Sequence, residues 1–256
     1  MIRALSRWWH GRRPPGTLID FETWNTVCTA LPPVARYDAA TRTRLHLLAE
    51  QFLREKAIDG AGGIEPDLRL GAWIAIQAAI PILNLGLDWY DGWYSVIVYP
   101  DDFRALHTYT DEAGVVHQTT RVLAGEAWHG GPVILSWAAV AREGSAEPGD
   151  DNVVIHEFAH KLDMRNGSAN GFPPLHGDMD RERWSRVFAH AFTDLKDRMR
   201  YREMLPVDRY AAQSPAEFFA VASEAFFMDP RPLKAIWPAV YAELALFYRQ
   251  DPARTP

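Results

Sequence analysis

With one cysteine, Cys28, in 256 residues, the chain has no intramolecular disulfide, so nothing in it asks for an oxidising compartment. The same scarcity excludes a Cys-rich structural zinc site and leaves His and carboxylate side chains as the ligands of any metal. Cys28, among the apolar residues of Trp24–Leu31, reads as a small core residue. No apolar run reaches the roughly 20 residues a membrane span needs. The longest, Ala72–Leu87, is broken by Gln77, Pro81 and Asn84. A basic excess is missing too, and a net charge of -6 gives no support to direct nucleic-acid binding. Internal repeats and low-complexity segments are absent. Met1–Pro15 carries Arg3, Arg7, Arg12 and Arg13 but lacks the apolar centre of a secretory signal, which makes the cytoplasm the default location. Residues 1–16 are expected to be a basic tail. It is either frayed or, through Ile2, Leu5, Trp8 and Trp9, a short amphipathic helix that touches a membrane or a partner.

What is present is helical at both ends with strands between. Leu45, Leu48, Phe52 and Leu53 recur at helical spacing in Thr41–Lys56, which the glycines around Asp59–Gly63 terminate. Leu70–Leu83 is apolar nearly all round and predicts a buried helix ending near Pro81. Tyr94–Tyr99, Val115–Leu123 and Val133–Trp137 predict strands. Helices are expected over Asp151–Met164, Asp178–Tyr201, Ser214–Met228 and Pro232–Gln250, with Asn166–Gly177 as a Gly/Pro-rich loop. The pattern is α+β, mostly helical with a small mixed sheet. Residues 17–256 read as one unit with an N-terminal helical subdomain. Its helical and strand part covers about 17–145 and the metal-binding helical part about 146–252.

The chemistry centres on His156-Glu157-Phe158-Ala159-His160. Histidines four apart leave a helix from one face, so two imidazole nitrogens can reach one Zn²⁺ at the ~2.0–2.1 Å it requires. Glu157 then stands beside the metal, where a carboxylate can take the proton of an attacking water. Asp151-Asn152-Val153-Val154-Ile155 supplies an N-cap and an apolar face that would bury this helix. Buried histidines and a buried glutamate need partners.

A hydrolytic site needs a third protein ligand and an open position for water. The position six beyond His160 is Asn166, and the next histidine, His176, lies in the loop with no spacing argument. Glu217 and Glu224, seven apart among Phe and Ala on Ser214–Met228, are the better candidates. Ser214, Pro215 and Glu217 also match a capping box, and spacing alone does not separate the two readings of Glu217. Asp163 reads either as a group orienting a ligand histidine or as half of an exposed salt bridge; Glu224 either orients a ligand or meets a charge such as Lys161. Gly131–Trp137 is either an edge strand that pairs with an extended peptide or an interior strand.

Asn152–Asn166 (NVVIHEFAHKLDMRN) and Asp208–Phe227 (DRYAAQSPAEFFAVASEAFF) resemble the Mlc titration factor A family of zinc metallopeptidases, as do the stretch Ala72–Pro100 and the terminal Phe247–Pro252. The resemblance covers about Leu31 to Pro252. It implies a zincin-like, gluzincin-like site with one Zn²⁺ per chain on His156, His160 and Glu217, and Glu157 as general base. Tyr210, seven residues before Glu217, matches a tyrosine that stabilises the oxyanion in the related anthrax lethal factor catalytic domain. A cytosolic peptidase acting on peptides or proteins, often assayed as an aminopeptidase, is implied. So is binding of the glucose-responsive transcriptional repressor Mlc, with a part in regulating sugar uptake. The competing reading is a non-catalytic, repressor-binding regulator whose zinc is mainly structural. The base Glu157 argues against it, since a structural site needs no base.

Overall fold

The computed structural model describes residues 17–110, 116–142 and 152–254, with the backbone alone for 105–110 and 116–121. The expected tail, residues 1–16, lies outside the described residues. Three helices come first, α1 (Phe21–Ala30), α2 (Pro32–Arg36) and α3 (Ala39–Glu55), followed by β1 (Ala57–Gly60) and α4 (Leu68–Ala79). Strands β2 (Ser95–Tyr99), β3 (Phe103–Thr110), β4 (Val116–Leu123), β5 (Gly125–Ala127) and β6 (Val133–Ser136) lead into the short α5 (Trp137–Arg142). The rest is helical: α6 (Val153–Asp163), α7 (Arg181–Tyr201), α8 (Pro215–Met228), α9 (Pro230–Ile236) and α10 (Pro238–Tyr248). No helix among the described residues is long and apolar enough to cross a membrane.

Short polar side chains start these helices. Asp20, Asp38, Asp67, Asn152, Asp180 and Ser214 each accept a backbone N–H of the first turn of α1, α3, α4, α6, α7 and α8 respectively. Each such cap is worth about 1 kcal/mol. The segment expected to be one helix over Pro232–Gln250 breaks at Trp237, and α10 begins with Pro238. A proline ring clashes with the preceding turn inside a helix but is tolerated at its first position.

β1, β2 and β6 run parallel and β5 runs antiparallel to β6, in the order β1-β2-β6-β5; β3 and β4 form a separate hairpin. The edge-strand reading of Gly131–Trp137 is therefore overturned. β6 is buried throughout and paired on both sides, Trp137 already belongs to α5, and the edge beside α6 is β5. Three strands escape the sequence pattern: β1, β3 and β5.

One cluster of buried apolar side chains runs from Leu18 to Tyr248. Within it α6 packs on α4, α8, β5 and β6. Val154, Ile155, Phe158, Ala159 and Leu162 of α6 are fully buried. The Phe158 ring lies 5.1–5.7 Å from those of Phe52, Tyr90 and Trp93. Truncating such a ring to alanine costs about 3–5 kcal/mol, so the helix that carries the motif is firmly seated.

Candidate metal centre

The apolar stripe of α6 faces the core, which turns the other face, with His156, Glu157 and His160, toward α8 and β5. His156 and His160 stand one turn apart with ring centroids 4.8 Å from each other. Their Nε2 atoms are 3.1 Å apart, and Glu217 Oε2 lies 3.1 Å from one and 3.3 Å from the other. Ligand atoms ~2.0–2.1 Å from a tetrahedral centre stand roughly 3.3 Å from one another. The triangle thus has the dimensions of three ligands of one ion, and these residues form a group able to hold a metal.

Ser214 accepts the Glu217 N–H at 3.1 Å, as a capping serine does. The Glu217 carboxylate turns to the histidines instead of completing a capping box. Burial alone would raise the pKa of Glu217, but hydrogen bonds from both histidines outweigh it and hold the carboxyl far below its usual range. His156 shows the converse: burial lowers its pKa, while the Glu224 and Glu217 carboxylates outweigh burial and raise it well above the ordinary value.

Glu224 lies two turns beyond Glu217 on the same side of α8 and binds the far nitrogen of His156, with Oε1 2.6 Å from Nδ1. Its other oxygen accepts the Asn152 N–H at 2.8 Å. Asn152 caps α6 and donates to Gln77 Oε1 on α4, so the start of the motif helix is tied to both α8 and α4. Lys161 is not the partner of Glu224; its ammonium donates to the carbonyls of Trp128 and Gly131 in the β5–β6 turn. Burial and the neighbouring Lys56 lower the Lys161 pKa to about 8.

Asp163 is fully buried and forms no exposed salt bridge. Its Oδ2 accepts the N–H groups of Asn170 and Gly171, each at 2.7 Å, while Oδ1 and the Nδ1 of His160 have no hydrogen-bond partner. His176 lies apart from the triangle: its ring meets Trp89, and Nε2 is 2.8 Å from the Phe247 carbonyl oxygen.

Glu157 is 5% exposed and its Oε2 has no hydrogen-bond partner. Burial, aided by the nearby carboxylates of Glu217 and Glu224 and opposed by the two histidines, raises its pKa. That shift moves a carboxylate toward the range in which it exchanges protons near neutrality. It lines a cavity of about 200 Å³ with Leu123, Gly125, Val153, Tyr210 and Val221. Tyr210, on the single turn Arg209–Ala212 that Asp208 caps, places its ring 5.9 Å from that of His156. The structure thus brings His156, His160, Glu157, Glu217, Glu224 and Tyr210 to one place. Sequence reasoning missed Gly125, whose only signal was a glycine between two strand candidates, and it missed the link from Asn152 to Glu224.

Comparison with known proteins agrees with this geometry. Proteins named Mlc titration factor A are similar over nearly the whole chain. That of Salmonella arizonae is 38% identical over 230 residues, covering 88% of this chain and 90% of the relative. That of Yersinia pestis (strain Pestoides F) is 36% identical over 255 residues, covering 98% and 91%. A family profile described as glucose-regulated metallo-peptidase M90 matches residues 6–249. The chain belongs to this M90 family of metallopeptidases.

Proposed function

We propose that the protein is a zinc-dependent peptidase of the cytoplasm with Glu157 as its general base. The observation that carries this reading is the triangle of His156 Nε2, His160 Nε2 and Glu217 Oε2, with a buried carboxylate of raised pKa on the adjacent residue. His156, His160 and Glu217 would hold one Zn²⁺. Bound there, the ion supplies a Lewis acid that polarises the scissile carbonyl and makes water a better nucleophile at neutral pH. A structural site is usually closed by four protein ligands. Among the described residues this group has three, beside an accessible cavity.

The chain's own groups divide the remaining work. Glu157 takes the proton of the attacking water and returns it to the leaving amine, so one carboxylate serves both proton transfers. The Tyr210 hydroxyl donates a hydrogen bond to the oxyanion of the tetrahedral intermediate. Glu224 fixes the tautomer and direction of His156 through Nδ1. Among the described residues β5 is the end strand of its sheet, and it offers that edge to an extended peptide. Its partner β6 takes Ala124 O through Ser136 N, and Trp128 N donates to Pro132 O. Alternation along the ladder therefore points the N–H and C=O groups of Gly125 and Ala127 outward.

The name of the relatives supports a second activity, titration of Mlc by this chain. Its relation to hydrolysis is open to a direct experiment. Metal content, peptidase rate and Mlc binding are measured on the wild type and on Glu157→Gln. About one zinc per chain in both, with turnover lost in the variant, is expected. Unchanged Mlc binding by the variant would separate regulation from hydrolysis. A wild type that neither carries nor takes up zinc would move the regulatory reading ahead of the enzymatic one.

A further inference from the structure

Glu157 and Lys161 stand one turn apart on α6, and both face the β5–β6 hairpin. At the turn, the buried Lys161 ammonium lies 2.8 Å from the Trp128 carbonyl oxygen and 2.9 Å from that of Gly131, clasping both ends of the loop. At the start of the hairpin the approach is closer. A Cβ on Gly125 would lie 2.6 Å from both Cγ and Oε1 of Glu157 and 2.7 Å from Cγ2 of Val153. Gly125 is not among the glycines of positive φ, so its backbone conformation does not call for glycine. The missing side chain serves close approach alone.

No hydrogen bond holds Glu157 Oε2, so nothing polar fixes that end of the carboxylate. What confines the side chain on the strand side is bare backbone. We propose that Gly125 is a positioning residue for Glu157. Its backbone forms the wall that sets the Glu157 carboxylate beside the metal ligands, and Lys161 keeps that wall in place. The inference rests on Glu157 acting as the base.

The test is Gly125→Ala in the full-length, zinc-loaded protein, with metal content and single-turnover rates measured at high enzyme concentration. The expected result is wild-type zinc content and a kcat lower by about 100-fold, the lower end of what a misplaced base forfeits, with KM within about threefold. The small residual single-turnover rate left in Glu157→Gln should not fall further with the same alanine, because no base is left to displace. A purely structural defect would lower the rate in both backgrounds, and that outcome overturns the proposal. If Gly125→Ala fails to fold, Gly125→Ala/Val153→Ala is compared with Val153→Ala. That pair removes the helix contact and leaves Glu157 as the displaced group, so the loss should persist. An active Gly125→Ala beside an inactive Glu157→Gln overturns this inference alone. A fully active Glu157→Gln removes the base assignment, and this inference with it.

Discussion

The two walls of the site are built on opposite plans. The helical wall, α6 with α8, presents imidazoles and carboxylates, and three of them are held by a second group: Glu217 by the histidines, His156 by Glu224, and Glu224 by Asn152. The strand wall, β5, presents almost no side chain, only the backbone of Gly125–Ala127 and the space left by an absent Cβ. Ion binding depends on atoms that must converge to a few tenths of an ångström, so it falls to rigid, cross-braced helices. Recognition of an extended chain depends on backbone direction, so a strand edge suffices. Damage to the ligand triangle and its supports on the first wall should cost metal, and damage to the second wall should cost catalysis or substrate affinity while metal stays.

Substitutions ranked by size of effect test that division. His156→Ala and Glu217→Ala should abolish metal content and activity together, measured on the same samples by mass spectrometry and a peptide assay. Metal retained in either variant would remove that side chain from the ligand set. Tyr210→Phe should keep full metal content and lower kcat by about 100-fold, as loss of an oxyanion donor does. An unchanged kcat would leave the tyrosine without a chemical role. Glu224→Gln should weaken zinc binding by about 10- to 100-fold in chelator competition, while activity at saturating zinc largely returns. On the other wall, Ala127→Pro removes one outward N–H and none of the ladder's. KM should rise roughly fivefold, the worth of about 1 kcal/mol, at constant metal content; a loss of metal there would break the division between the walls.

The helical wall was also the legible one. The spacing of His156 and His160 is a helical period, and the apolar residues between them mark the buried face, so both the element and its orientation can be read locally. Glu217 was half legible, because Ser214 and Pro215 announce a helix start and a capping box and a ligand use the same residue. Only the three-dimensional position of the histidines separates them. The strand wall was opaque for a physical reason. Gly125-Glu126-Ala127 has no β-branched residue and no alternation. It is a strand only because β6 supplies the ladder, and that pairing is nonlocal. β1 hides in the same way behind the end of α3. The break at Pro238 was readable from the proline itself, but the apolar run across it suggested one continuous helix.

His156 sits between two carboxylates, Glu217 at one nitrogen and Glu224 at the other, and this bracketing gives the metal-free protein a placeholder. Its raised pKa favours the protonated ring between these carboxylates, whose charges it offsets. That proton stabilises the fold fully below the unfolded histidine pKa of about 6.5 and is lost as pH rises through the higher folded value. On the proposed reading, zinc loading would exchange one cation for another, releasing a proton and favoured as pH rises. Melting curves of chelated protein should weaken toward alkaline pH while those of the loaded protein hold. On the proposed reading, one protonated ring holds the ligand groups together until a metal ion takes its place.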